Sequence, residues 1–206
     1  MSKSLIIDTT KAQTYIILNI EEETFSCVMS EQTKVSEGLA INIEKLLDNA
    51  GISLQEVDNF GVVLGPGSFT GVRVGLATIK GFCLALNKSC YAKNSFEVFD
   101  KKITNGFLVL KCTNTTCYYA QYVENKVIDF GVLNNTEVED FVKDKTIYSI
   151  EGFADFSTVN IYNEYLDLLN DCFKETIEKD EQVEADTLQP FYVQLSQAEL
   201  QQKKEK

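Results

Sequence analysis

Twice along this chain, three short apolar runs are followed by an amphipathic stripe, another apolar run and a longer helical stretch. In the first pass Leu5–Ile7 reads as a buried strand that stops at Asp8-Thr9-Thr10, and Thr14–Ile20 reads as a second. Phe25, Cys27 and Met29 alternate with mostly polar neighbours and suggest a third. Leu39, Ile43, Leu46, Leu47 and Ala50 share one face of a helix over about 39–50, and Gly51 stands at its C-cap position. A strand over Asn59–Leu64 then leads into a long helix from about Thr70 to Leu86. The second pass predicts strands at Phe107–Leu110, Cys117–Val123 and Lys126–Phe130 and a helix over Glu137–Lys143 with Thr136 as N-cap. A strand at Thr146–Ile150 and a helix over about Asn160–Ile177 complete it. Such an order predicts a duplicated α/β fold of two lobes. Each is a mixed sheet in which hairpins make the antiparallel pairs and a helical crossover places a further strand. The polar stretch Lys101–Asn105 puts the boundary between residues 1–102 and a shorter second lobe of residues 103–206. The acidic run Glu178–Asp186 is expected to be a solvated loop, and Gln201–Lys206 a frayed tail.

Composition narrows the chemistry. Among 206 residues there is no histidine and no tryptophan. Without imidazole there is no Ser-His-Asp or Cys-His nucleophile system and no histidine-containing zinc site. Nineteen Lys and Arg against 31 Asp and Glu give a net charge of −12. Phosphate-backbone binding rests on clustered Lys and Arg, so this chain is not expected to grip a nucleic acid by itself. Lys203, Lys204 and Lys206 at the tail are the exception weighed, and a solvated terminus is preferred. No signal-peptide pattern opens the chain, and no stretch approaches the ~18 apolar residues of a membrane span. The six cysteines include no CxxC pair and read as reduced thiols, so a cytoplasmic protein with no metal site is expected.

The most informative segment is Gly65-Pro66-Gly67-Ser68-Phe69-Thr70-Gly71-Val72-Arg73, between a strand and a helix. The glycines allow unusual φ around a rigid proline, and Ser68 or Thr70 can cap the helix. It is neither a P-loop nor a GxGxxG fingerprint, so a tight strand-to-helix turn is preferred to a phosphate cradle. On the following helix Val72, Leu76, Ile79, Phe82, Cys83 and Leu86 make one broad face. Val74, Ala77, Gly81 and Ala85 make a second face of small residues, and Arg73 and Lys80 share a narrow stripe between them. A helix apolar on two sides needs two partners: its own sheet, and either the preceding helix or another subunit. Ile41 lies opposite the stripe of that preceding helix.

The stretch Gly65–Gly75 closely resembles the signature of the TsaB (YeaZ) family. Ile6-Ile7-Asp8-Thr9-Thr10, Cys117–Tyr122 and Pro190–Glu199 resemble that family's opening turn, midchain strand and C-terminal motif. The resemblance implies a two-lobed actin/hexokinase/Hsp70-like, ribonuclease H-like fold. It also implies a place in bacterial synthesis of threonylcarbamoyladenosine at position 37 of tRNAs that read codons beginning with A. In that role the chain is a degenerate, non-catalytic paralogue of the catalytic subunit TsaD. It heterodimerises with TsaD through the two N-lobe helices, works with the ATPase TsaE, and has homodimerisation open to it when alone. The resemblance implies no tightly bound cofactor, with ATP or ADP, if anywhere, at the boundary of the complex. Lys111 and Thr113 stand where the family commonly has Asp-x-Arg, a departure from its pattern.

Two enzymatic readings compete with the scaffold. In kinases and ATPases of this fold a phosphate loop sits where Asp8, Thr9 and Thr10 stand, and Asp8 could hold magnesium. A strand-end aspartate bonding its own turn is the simpler reading. A peptidase has less support, since no base stands beside a nucleophile and Ser68 does not lie in a GxSxG elbow.

Overall fold

The computed structural model describes residues 2–193, in two compact units. One runs up to Phe99 and takes back Glu164–Pro190; the other is Asp100–Asn163 with the chain from Phe191. The units part near residue 100, and the last helix returns to the first unit, whereas the sequence reading placed everything from residue 103 in the second lobe.

In the first unit β1 (Lys3–Asp8), β2 (Thr14–Ile20), β3 (Glu23–Met29), β4 (Asn59–Val63) and β5 (Ser89–Lys93) form a sheet in the order β3-β2-β1-β4-β5. Hairpins make β1–β2 and β2–β3 antiparallel, whereas β1–β4 and β4–β5 are parallel. The crossovers are helices α1 (Val35–Ala50) and α2 (Phe69–Leu86). One face buries Leu5, Ile7, Leu18, Phe60 and Val62 in a cluster with Leu39, Ile43 and Leu47 of α1 and Leu76, Ile79 and Cys83 of α2. The opposite face meets α4 (Tyr165–Glu178), whose Phe173 lies directly over Gly61: a Cβ there would come within 2.6 Å of the Phe173 ring. The Asn19 amide also donates to the Asn170 side-chain carbonyl at 2.9 Å.

The second unit holds β6 (Asn105–Lys111), β7 (Thr116–Val123), β8 (Lys126–Asn134), β9 (Ile147–Ser149) and β10 (Val159–Asn160), ordered β10-β9-β6-β7-β8. Short α3 (Val138–Val142) packs Val138 and Val142 onto Phe107, Val109 and Cys117.

Several elements differ from the sequence reading. α1 starts at Val35, a turn early; its N-cap Lys34 makes no side-chain cap, so no cap residue marks the start. β5 was not foreseen: Asn87, at φ 52°, ends α2 as a left-handed cap only two residues before the strand begins. Thr136 does not cap α3. Asn134 and Glu137 form a reciprocal capping box around a 3-10 turn ahead of it. α4 begins at Tyr165, after β10 and another 3-10 turn, and not at Asn160. The acidic run is not simply solvated. The Lys93 ammonium pairs with Glu181 at 2.7 Å, and the Val183 N–H donates to the Cys90 carbonyl at 2.9 Å, laying this strap along the β5 edge. α2 has a length and mean hydropathy, 1.4, that would suit a membrane span, but one side of it is packed on the sheet.

Candidate functional site

The glycine-rich turn is built around close approach to the β1 turn. Gly67, Gly71 and Gly75, four residues apart, all face Thr9 and Thr10. A Cβ at Gly67 would lie 2.1 Å from the Thr10 carbonyl oxygen, at Gly71 1.9 Å from that of Thr9, and at Gly75 2.2 Å from the Thr9 hydroxyl. Only hydrogen at those positions lets the first two turns of α2 rest on the β1 turn. Gly65 has φ 100° and precedes a cis bond to Pro66. Ser68 is the helix cap, its hydroxyl accepting from the Gly71 N–H at 3.2 Å, and Thr70 is exposed. The Ser68 N–H donates to the Thr10 carbonyl and the Thr9 hydroxyl to the Gly71 carbonyl, each at 2.7 Å. Ser95, which the sequence reading passed over, fastens the other side. Its N–H donates to the Gly65 carbonyl at 2.7 Å and its hydroxyl to the Pro66 carbonyl at 2.8 Å.

Asp8, Thr9 and Thr10 are themselves buried. One Asp8 carboxylate oxygen accepts from the Thr10 N–H at 2.7 Å; the other accepts from the hydroxyl of Tyr165 on α4. Tyr165 is wholly buried, stacked with Phe99 and edge-on to Tyr15, and burial, with Asp8 beside it, holds its phenol well above the ordinary range. Both Asp8 oxygens thus have protein donors, and the turn's backbone is in contact with α2. These residues do not fit a magnesium-phosphate site. Tyr165 lies 157 positions from Asp8, and no local pattern in the sequence announces the pair.

α2 presents a second, uncovered side. Ala77, Gly81 and Ala85 are exposed, with Leu84 at 61% exposure beside them, and a Cβ built on Gly81 meets nothing within 4 Å. Val74 differs from the other three predicted residues in packing partly into the core. Ile41 on α1 is 50% exposed. Arg73 and Lys80 do not act as one stripe. The Arg73 guanidinium sits 3.8 Å over the exposed Phe69 ring, while the Lys80 ammonium binds the carbonyls of Asp186 and Leu188 at 2.9 and 3.2 Å. Lys111 and Thr113 fall at the β6–β7 turn. The Lys111 N–H donates to Glu151, and the Thr113 hydroxyl accepts from the N–H groups of Thr115 and Thr116. Gln194–Glu199 of the C-terminal motif and Lys203, Lys204 and Lys206 lie outside the described residues.

Residues 30–142, more than half of the chain, match the family model of TsaD, tRNA N6-adenosine threonylcarbamoyltransferase. The chain belongs to the TsaD-type family. Over 137 residues it is 31% identical to the tRNA threonylcarbamoyladenosine biosynthesis protein TsaB of Haemophilus influenzae, a match covering 62% of this chain and 57% of that one. A shorter match, 44% over 59 residues, links it to a tRNA N6-adenosine threonylcarbamoyltransferase of Sphingopyxis alaskensis, covering 29% of this chain and 17% of the enzyme. The matched regions therefore span well under two thirds of these curated relatives. YeaZ from Pseudomonas aeruginosa superposes with a TM-score of 0.71 at 20% identity, over 93% of this chain and all of that one. A second Pseudomonas aeruginosa structure, described as similar to peptidase YEAZ, gives 0.69 at 17% over 94% and 100%. The fold, two mixed five-stranded sheets, is thus that of the YeaZ structures, and the Haemophilus influenzae relative is described as a tRNA threonylcarbamoyladenosine biosynthesis protein.

Proposed function

We propose that this chain is a non-catalytic subunit of the tRNA threonylcarbamoyladenosine machinery that docks a TsaD-type catalytic subunit through the open side of α2. The single observation that carries this reading is the exposed Ala77-Gly81-Leu84-Ala85 surface. Small residues on a rigid helix let a partner helix approach closely, and the apolar area gives the contact its driving force. The TsaE-type ATPase joins the pair, and tRNA is held by the partners and not by this acidic chain. Its place is the cytoplasm. Any ATP or ADP belongs to the boundary of the complex. The alternative, a kinase or ATPase in its own right, is disfavoured by the engagement of both Asp8 oxygens with Thr10 and Tyr165.

Reconstitution tests the proposal. The chain alone transfers nothing to tRNA, and adding it to a TsaD-type subunit, a TsaE-type ATPase and the threonylcarbamoyl adenylate restores modification. Unchanged modification without this chain would overturn the reading. Micromolar MgATP binding with turnover by the isolated chain, seen by calorimetry, would favour the alternative.

A further inference from the structure

The small-residue side of α2 continues, toward the start of the helix, into a charged and aromatic pair. Phe69, Arg73, Ala77, Gly81 and Ala85 stand four apart along α2 and form one ridge, the kind of row that seats in the groove of a facing helix. All five are exposed, Phe69 at 43%. The Arg73 guanidinium carbon lies 3.8 Å from the centre of the Phe69 ring, well inside the range of a cation–π contact. So close a contact uses the flat face of the guanidinium. A carboxylate takes the N–H donors in its plane, so one arginine can hold both. The stack also fixes a long side chain before a partner arrives, which lowers the entropy lost on binding. α2 contains no Asp or Glu, and its other cation, Lys80, is bonded to the carbonyls of Asp186 and Leu188 at 2.9 and 3.2 Å.

We propose that Arg73, braced on Phe69, is the charged anchor of the docking surface, and that the helix a TsaD-type subunit lays on this ridge carries an aspartate or glutamate that takes the guanidinium. The inference rests on the function proposed above and adds the chemistry of the partner's surface. Arg73 precedes Ala77 by one turn, about 6 Å along the axis, so a helix seated on Ala77 and Gly81 covers it too. Covering a guanidinium without a counter-charge is costly. α2 has no carboxylate to offer, and the surface that does the covering is placed to supply one. A carboxylate held by two parallel N–H bonds also fixes the register of the two helices, which small apolar residues alone leave loose. A surface with Lys or Arg at the same point is turned away by like charge.

The test titrates the full chain and its variants against a TsaD-type subunit by calorimetry, with the melting temperature of each free chain as the control for folding. Arg73 is exposed, so the melting temperatures should agree closely. Arg73→Ala should bind about 25-fold or more weakly than wild type. Arg73→Lys keeps the charge without the planar fork and should fall between the two. Arg73→Glu should bind more weakly than Arg73→Ala, because two carboxylates then meet. Phe69→Leu keeps an apolar side chain but removes the ring, and should cost about two- to fivefold. Equal binding by wild type and Arg73→Ala would overturn the anchor and leave docking on α2 standing. Equal binding by Arg73→Ala and Arg73→Glu would overturn the partner's carboxylate. Failure of wild type to bind at all would sink the proposed function, and this inference with it.

Discussion

At Gly71 and Gly81, two glycines ten positions apart on one helix carry opposite constraints. A methyl group at Gly71 would drive into the Thr9 carbonyl at 1.9 Å, whereas one at Gly81 meets open space. Gly71→Ala should cost at least about 3 kcal/mol, the upper range for overpacking, because backbone and not a flexible side chain must yield. Gly81→Ala should stabilise the isolated chain by about 0.5–1 kcal/mol through helix propensity. Urea midpoints at constant slope check both. Tyr165→Phe removes the hydroxyl that serves a buried Asp8 oxygen and should cost about 1–3 kcal/mol. Tyr91→Phe, whose hydroxyl meets the exposed Asp180, should cost clearly less in the same titration.

Elements respond to pH and charge in ways set by their ends and faces. Glu56 closes a 3-10 turn before β4, accepting from the Ser53 N–H and hydroxyl and pairing with Lys3 of β1 at 3.1 Å. The Ser53 backbone bond chiefly, then Lys3 and the Ser53 hydroxyl, lower its pKa from the ordinary 4.5 to about 2. A depressed carboxyl stabilises the fold fully above its unfolded value and loses that contribution as pH falls through the folded one. Stability should therefore decline between about pH 4.5 and 2, and less steeply in Glu56→Gln, with the two profiles parallel above pH 5. Acid titration by circular dichroism reads this out. On α2, Ala77→Glu places charge on the open side. Thermal stability of the free chain should change by under about 0.5 kcal/mol, while association with a TsaD-type subunit is lost by size-exclusion with light scattering. Loss of folding would place that side in the chain's own core.

For the whole molecule, a net charge of −12 bears on how the proposed assembly would meet tRNA. In a gel shift at physiological salt the free chain should leave tRNA unretarded, and with a TsaD-type partner the band should move. Tight, salt-sensitive binding by the chain alone would contradict this. Much of the first sheet was legible because β1, β2 and β4 hold short apolar runs, β3 alternates, and each crossover carries a helical stripe. β5 was not, since Ser89–Lys93 is five residues long and has no turn signal beyond Asn87. Of the site, the tight turn around Pro66 was readable in the letters, while the close approach of residues 67, 71 and 75 to Thr9 and Thr10 came from the structure. Ser95 and Tyr165 carry no such local mark.

The sequence by itself determined the period of most elements, the turn at Gly65–Gly71 and the absence of imidazole chemistry, because these depend on residue types within one or two turns of chain. Only the tertiary structure decided that the last helix belongs with the first sheet, that Tyr165 meets Asp8, and that Gly81 faces open space. Those facts depend on contacts between residues dozens to more than a hundred positions apart. Such contacts follow from how faces of similar apolarity are shared among competing neighbours, which no local pattern encodes.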